Sequence, residues 1–174
     1  MGRLARTGDA GGGTMERLWS PWRMEYVERD HAGDDCPFCI TRAEAERLPG
    51  LIVAAGKLAY VILNLYPYNG GHLIVNPYRH VGDVVEITPE EFADITSLLQ
   101  EAVRALRGAM KPTGFNVGMN MGSAGGAGIP DHLHFHVVPR WDGDTNFMPV
   151  VGETKVMPES LEQTKARLVE AWPG

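Results

Sequence analysis

Apolar runs along this chain predict a β-sheet. They are rich in β-branched residues, end at turn residues, and cover residues 51–56, 57–65, 72–78, 115–122 and 132–138. The break at Gly56-Lys57 between the first two runs predicts a β-hairpin. The turn sequence PYNGG separates the second run from the third. These runs therefore predict the five strands of the sheet.

A long helix is predicted after the third strand. The stretch Thr88-Pro89-Glu90-Glu91 supplies an N-cap, a proline at the first helical position and a capping-box glutamate. Apolar residues then recur at helical spacing and predict one buried face, formed by Phe92, Ile95, Leu99, Ala102, Leu106 and Met110. A short helix is also expected in TRAEAER, residues 41–47.

The C-terminal segment TKVMPESLEQTKARLVEAW, residues 154–172, predicts a strand followed by a helix. Ser160 and Gln163 form a second possible capping box there. The order β-β-β-α-β-β-α indicates an α+β domain, a mostly antiparallel sheet with the long and the C-terminal helix packed to one side.

The N-terminal residues differ in composition from the rest of the chain. Residues 1–14 are Gly-rich and polar, which predicts a disordered tail, and Met15 is a candidate start. Residues 16–28, ERLWSPWRMEYVE, are rich in Trp and Tyr and are expected to dock as an arm, since so much aromatic surface is unfavourable in water. Residues 15–174 are expected to form a single domain, which their length fits.

Charge and hydropathy exclude several classes of partner. The formal net charge of −6 leaves no basic excess for a nucleic-acid backbone, although a few local donors could hold a small anion. No apolar run approaches the ~20 residues that span a bilayer, and residues 1–15 lack the apolar core of a secretory signal. A cytoplasmic protein without membrane or nucleic-acid partners is expected, with Cys36 and Cys39 reduced.

The clearest chemical signal is the segment DHLHFHVVPRW, residues 131–141. Alternation in a strand places His132, His134 and His136 on one face. Three buried imidazoles require a cleft, a metal or polar partners. A solvated face, a catalytic zinc site completed by His72 or His80, and a histidine nucleophile are the alternatives that the spacing leaves open.

This segment resembles the His-φ-His-φ-His-φ-φ motif of the histidine-triad (HIT) superfamily, where φ is apolar. GGHLIVNPYRH is similar to the superfamily's upstream Gly-His strand, and the match covers most of residues 34–141. NLYPYNGGH, GMNMGSAGG and WDGDTNFMPVVG are most similar to the actinobacterial diadenosine tetraphosphate phosphorylases within its Fhit-like branch. The resemblance therefore implies a HIT fold and a dinucleoside polyphosphate substrate.

The resemblance implies a role for each matching residue. His134 would attack the α-phosphorus and carry the nucleotide, while His136 would contact the phosphate. His72 would lie near the same centre, Asn120 would touch the bridging oxygen or leaving group, and Asn64 would bind ribose. Asn64 also fits an ordinary turn, and aligning Asn120 requires one inserted residue in SAGGAGI.

The Gly-rich loop before the triad is a candidate phosphate cradle, because glycines let backbone N–H groups approach phosphate oxygens. A flexible connection is the alternative interpretation. Trp141 is expected to line the active site or an interface, unless it packs as an ordinary core residue. The candidate binding residues of the loop are Gly122, Ser123, Gly125, Gly126 and Gly128.

The CPFC sequence supports half a zinc site, a redox pair or two buried thiols. A redox pair is disfavoured because no clear strand precedes it. In bacterial members of the family the CxxC pair joins two histidines, which implies a structural zinc held by Cys36, Cys39, His80 and His132. No organic cofactor is expected.

The predicted function is cleavage of diadenosine tetraphosphate (Ap4A) with phosphate, giving ADP and ATP. The alternatives are a hydrolase of Ap3A or Ap4A, and a nucleotide-binding sensor without turnover. A Hint-type adenylyl-amidase is disfavoured by the Val-Pro-Arg-Trp ending after the triad. The implied partners are AMP, ATP, dinucleoside polyphosphates and inorganic phosphate, and the implied assembly is a homodimer or tetramer.

Overall fold

A computed structural model describes residues 36–145 and 156–173 and shows an α+β fold built on one five-stranded antiparallel sheet. The strand order is β1-β2-β3-β5-β4. The strands are β1 (Ile52–Ala55), β2 (Ala59–Leu63), β3 (Leu73–Pro77), β4 (Gly114–Met119) and β5 (Phe135–Arg140). The helices are α1 (Arg42–Ala45), α2 (Pro89–Met110) and α3 (Leu161–Glu170), with a 3-10 turn at Val84–Glu86. The predicted α+β class is confirmed.

The predicted hairpin is formed by β1 and β2. Its turn is fastened to α2, because the Asp94 carboxylate accepts from the backbone N–H groups of Leu58 at 2.7 Å and Ala59 at 3.0 Å. Gly56 fits because a Cβ there would lie 2.7 Å from the Asp94 carboxylate. The hairpin and the long helix therefore hold each other in place.

Helix α2 begins as predicted, but its buried face is rotated. Thr88 and Glu91 form the capping box. The buried apolar residues are Ile95, Leu98, Ala102, Ala105 and Leu106. The prediction was wrong for Phe92, which is 44% exposed. Ile95, Ala102 and Leu106 are buried as predicted, and Leu99 and Met110 are partly buried against the core. Phe92 lies at the margin of the stripe, where its ring meets Phe135 edge-on at 6.3 Å.

The last strand begins later than the sequence predicts. The ladder of β5 starts at Phe135 and continues to Arg140, beyond the predicted end at 138. The preceding backbone turns to another partner, since the Leu133 N–H donates to the Val81 carbonyl at 2.6 Å. His132 and His134 therefore lie at the entrance to β5, still in extended register with it.

The two faces of the sheet have different coverings. Leu133, Phe135 and Val137 point into the main core with α2 and α3. On the opposite face, Tyr60 packs with Ala45 of α1 in a smaller cluster. All three triad histidines are buried away from the main core, on the side of this smaller cluster.

Helix α3 closes the fold with the predicted Ser160–Gln163 capping box. Lys165 donates to the carbonyls of Leu48 and Gly50, which ties α3 to the start of β1. The predicted tail (1–14), candidate start (Met15), aromatic arm (16–28) and most of the strand before α3 lie outside the described residues. No helix among the described residues is long and apolar enough to cross a membrane.

Candidate functional site

Five imidazoles form a row across the end of the sheet, in which four rings are buried and that of His80 is exposed. The rings of His134 and His136 are 5.0 Å apart between centroids, and those of His136 and His72 are 5.1 Å apart. The Phe38 ring contacts both His134 and His132, with its centroid 5.3 Å and 5.7 Å from theirs. The row is His80, His132, His134, His136 and His72. The spacing therefore brings the predicted chemical residues together.

The backbone selects the tautomer of His134. Its Nδ1 lies 2.8 Å from the carbonyl oxygen of His132, which can only accept, so Nδ1 must carry the proton. The Nε2 lone pair is then directed away from that contact. Burial lowers the pKa of His134 and keeps the ring neutral. A neutral imidazole with a fixed lone pair is suited to nucleophilic attack.

His136 receives the opposite tautomer through His72. The backbone N–H of Tyr68 donates to His72 Nδ1 at 3.0 Å, so a neutral His72 carries its proton on Nε2. That Nε2–H donates to His136 Nδ1 at 2.9 Å. His136 therefore keeps its own proton on Nε2, as a hydrogen-bond donor beside the His134 ring.

Two asparagines flank this pair of histidines. The Nδ2 atom of Asn64 lies 3.3 Å from His72 Nδ1, and the Oδ1 atom of Asn64 accepts from the Tyr66 N–H at 2.9 Å. The Asn64 side chain thus serves as a turn cap as well as a neighbour of the site. Asn120 follows the last β4–β5 pair, Met119 with Phe135, and so lies opposite His134.

The Gly-rich loop is exposed and forms its own turns. Gly125 and Ala127 donate to the Gly122 carbonyl, and Gly126 donates to that of Ser123. Gly125 has no space for a side chain, because a Cβ would clash with the Met121 carbonyl oxygen. These three N–H groups are engaged within the loop, so its role as a phosphate cradle stays a prediction.

The four predicted metal ligands converge at the other end of the row. The ligand atoms of Cys36, Cys39, His80 and His132 all lie within 4.8 Å of one another. Cys36 Sγ is 3.3 Å from His132 Nδ1, and Cys39 Sγ is 3.2 Å from His80 Nδ1. Two thiols and two imidazoles at this spacing could complete the tetrahedral shell of a structural zinc.

A second contact prepares His132 for a metal. Its Nε2 donates to the Pro77 carbonyl at 3.0 Å, which leaves the Nδ1 lone pair facing the thiols. Burial lowers the pKa of His132 to about 4, so the ring is neutral as a ligand must be. The residues present therefore fit zinc.

A pocket of about 350 Å³ extends from His136 toward the far end of β5. Asn120 lines it, as do Arg140 and Asp144. Trp141 instead lines a second pocket with Met110 and Arg167. Its backbone N–H donates to Asp144 of the first pocket at 3.2 Å, so the role of Trp141 in substrate binding stays a prediction.

Sequence reasoning missed several residues of this region. Tyr68 contributes through its backbone N–H, which no side-chain pattern reveals, and Asp144 is identified only by its distance from Arg140 in space. Asn76 is fully buried opposite Tyr60, and neither atom of its carboxamide has a hydrogen-bond partner among the described residues. A polar residue inside the apolar run HLIVNPY was the available signal for Asn76.

Comparisons with known proteins agree with this geometry. The HIT domain family matches residues 46–143. An AP-4-A phosphorylase of Mycobacterium tuberculosis strain H37Rv is 44% identical over 167 residues, which cover 91% of this chain and 85% of the relative. A bis(5'-nucleosyl)-tetraphosphatase (asymmetrical) of Schizosaccharomyces pombe is 26% identical, covering 67% of this chain and 60% of that relative.

A solved structure is similar in fold as well. The zinc-bound histidine triad family protein of Mycobacterium smegmatis superposes with a TM-score of 0.63 at 27% identity. The match covers 79% of this chain and 92% of the other.

Proposed function

The chain belongs to the HIT domain family, and from that membership we propose that it is a phosphorylase of dinucleoside polyphosphates. Ap4A and inorganic phosphate would be converted to ADP and ATP. The observation that carries the proposal is the pair of tautomers, a neutral His134 with its lone pair at Nε2 beside His136 with a proton at Nε2. The similarity to the mycobacterial AP-4-A phosphorylase supports the choice of substrate.

The first step is attack by His134 Nε2 on the α-phosphorus. The N–P bond forms as the P–O bond to the remaining phosphates breaks, and ATP leaves. His134 keeps the Nδ1 proton, and the His132 carbonyl stabilises the cationic ring that forms. The Nε2–H of His136 donates to the phosphoryl oxygens as their charge increases.

The second step is transfer of the nucleotide to inorganic phosphate. A phosphate oxygen attacks the phosphorus, the N–P bond breaks and ADP forms, which returns His134 to its neutral tautomer. Asn120 lies opposite His134 and is positioned to contact the departing or entering phosphate. Asn64 would contact the ribose, and its neighbour His72 would act on the centre through His136.

Product analysis tests this proposal. Phosphorus NMR of Ap4A reactions with and without phosphate should show phosphate-dependent ADP and ATP. AMP and ATP formed regardless of phosphate would identify a hydrolase and contradict the phosphorylase proposal. A His134→Ala variant should bind nucleotide but lose turnover. Wild-type protein that binds nucleotides and cleaves none would instead support the sensor.

The same proposal includes a structural zinc at Cys36, Cys39, His80 and His132. The zinc would hold the CPFC segment against the entrance to β5 and, with its shell closed by protein, would take no part in the reaction. A cytoplasmic location agrees with this, because the ligand thiols must stay reduced. Metal analysis should find about one zinc per chain; a value near zero in protein with reduced cysteines would contradict the assignment.

A homodimer is also part of the proposal. Strand β4 is an edge of the sheet and is largely exposed, with Val117 52% exposed. Exposed edge strands offer unpaired backbone groups to another chain. Sedimentation equilibrium should give twice the chain mass or a larger multiple, and a monomer at micromolar concentration would contradict this part.

A further inference from the structure

The pocket beyond His136 ends in a polar cluster that the proposed mechanism does not use. We call it the distal pocket; its lining includes Tyr68, Asn69, Asn116, His136, Arg140 and Asp144. The volume of about 350 Å³ is within the range of small-ligand sites. One end of the distal pocket lies at His136, and the other lies at the guanidinium of Arg140.

Arg140 is fixed in orientation by its neighbours. Its Nε donates to Asp144 Oδ2 at 2.6 Å, and its Nη2 donates to Asp144 Oδ1 at 2.8 Å. The Nη1 donates to Asn116 Oδ1 at 2.8 Å. Asp144 is itself held, because its Oδ2 also accepts from Asn69 and from the backbone N–H of Trp141.

The hydrogen-bonding capacity left over at this end consists mainly of donors. A guanidinium has five N–H groups, and three of those of Arg140 are used among the described residues. One N–H remains on each Nη atom, and the Asn116 amide nitrogen also offers donors. The Asp144 carboxylate is 10% exposed, and both of its oxygens already accept hydrogen bonds. It therefore orients the Arg140 guanidinium and does not contact a ligand. Such an end is suited to a phosphate group.

The distance from the reacting centre limits which phosphate can lie there. His136 and Arg140 are four residues apart on one strand face, about 13 Å along β5. His134 is six residues from Arg140, about 20 Å along the same direction. Inorganic phosphate must lie against the α-phosphorus to accept the nucleotide, so the acceptor phosphate cannot reach Arg140.

We propose that the distal pocket binds the leaving half of the substrate and that Arg140 contacts its distal phosphate. This inference rests on the proposed function and extends it, because Arg140 then favours a tetraphosphate over a shorter chain. Asp144 and Asn116 are positioning residues that act through Arg140. Tyr68, whose ring is 5.6 Å from that of His136, lines the His136 end of the distal pocket.

Kinetics with two chain lengths test this inference. Arg140→Gln should lower kcat/KM for diadenosine tetraphosphate on the order of 10- to 100-fold, since it removes charged hydrogen bonds. The same variant should lower kcat/KM for diadenosine triphosphate less than about 3-fold and leave the KM for inorganic phosphate unchanged. The shorter dinucleotide and the acceptor phosphate do not reach the guanidinium. Asp144→Asn should cause a smaller loss of the same selectivity, mainly in KM. Arg104 is an exposed arginine on α2, so Arg104→Gln is the matched control and should leave kcat/KM for both dinucleotides unchanged.

The other outcomes overturn the inference. Equal losses for the two substrates, or a raised KM for phosphate alone, would show that Arg140 does not recognise chain length. If the wild type cleaves no dinucleotide, the proposed function fails, and calorimetry with inorganic tripolyphosphate then decides the pocket separately. Binding to the wild type at least 10-fold tighter than to Arg140→Gln supports the anion site, whereas equal affinities contradict it.

Discussion

Replacing His72 with alanine should reduce turnover while leaving the proposed nucleophile, His134, intact. The variant removes the donor that holds His136 Nδ1 at 2.9 Å, so His136 can place its proton on either nitrogen. A buried neutral hydrogen bond contributes about 0.5–1.5 kcal/mol, and 1.4 kcal/mol is a tenfold change in rate. We therefore expect kcat to fall about 2- to 10-fold, with KM changed less.

The same variant should also destabilise the fold. His72 is fully buried, and its loss leaves the Tyr68 N–H without its acceptor. The Tyr68 N–H is part-buried, so leaving it unsatisfied costs about 1 kcal/mol, equivalent to a fall in Tm of roughly 2–4 °C in a domain of this size. Assays are therefore run well below the Tm of the variant.

The assay is steady-state cleavage of diadenosine tetraphosphate at saturating phosphate. His72→Gln is the matched variant, because a carboxamide can accept from Tyr68 and donate to His136, and it should recover part of kcat. His134→Ala supplies the lower limit. Unchanged kcat in His72→Ala, or a loss as complete as that of His134→Ala, would refute the role of His72 in fixing the tautomer of His136.

Three further predictions concern pH, metal and stability. Protonation removes the His134 lone pair, and burial lowers the pKa of that ring. As pH decreases, kcat/KM should therefore begin to fall only below the ordinary histidine pKa of about 6.5. A decline centred above pH 6.5 would contradict this. Cys39→Ser should reduce bound zinc, measured by atomic absorption, from about one per chain to a small fraction, while metal retained in full would exclude Cys39 as a ligand. Asp94→Ala should lower the free energy of unfolding in urea by about 1–3 kcal/mol, because the N–H groups of Leu58 and Ala59 lose their acceptor, and Asp142→Ala in an exposed loop serves as its control.

Local signals in the sequence predicted local structure well. The capping boxes at Thr88 and Ser160 and the hairpin break at Gly56 are set by residues within a few positions of one another. The tilt of α2 on the sheet is not local, which is why Phe92 was placed on the wrong part of its surface. The later start of β5 depends on Val81, whose contact with Leu133 no periodicity encodes.

The candidate site was predictable where alternation or family resemblance identified side chains. Alternation along the strand predicted that His134 and His136 share one face. The family resemblance predicted the cluster of four possible metal ligands, Cys36, Cys39, His80 and His132. The catalytic and metal roles of these residues are proposals. The tautomers were not predictable, because they depend on backbone groups brought together by folding. The pairing of Arg140 with Asp144 was not predicted, because the contact forms through the turn after β5 and no sequence pattern reveals it.

The carbonyl of His132 joins two parts of the molecule that are usually considered separately. The ring of this residue faces the thiols, while its backbone oxygen fixes the proton of His134. Anything that loosens the thiol cluster, such as oxidation or chelation, would be transmitted through a single peptide unit to His134, the proposed nucleophile. Inhibition of this protein by thiol oxidants would therefore resemble loss of a catalytic residue, even though the oxidised atoms never contact the substrate.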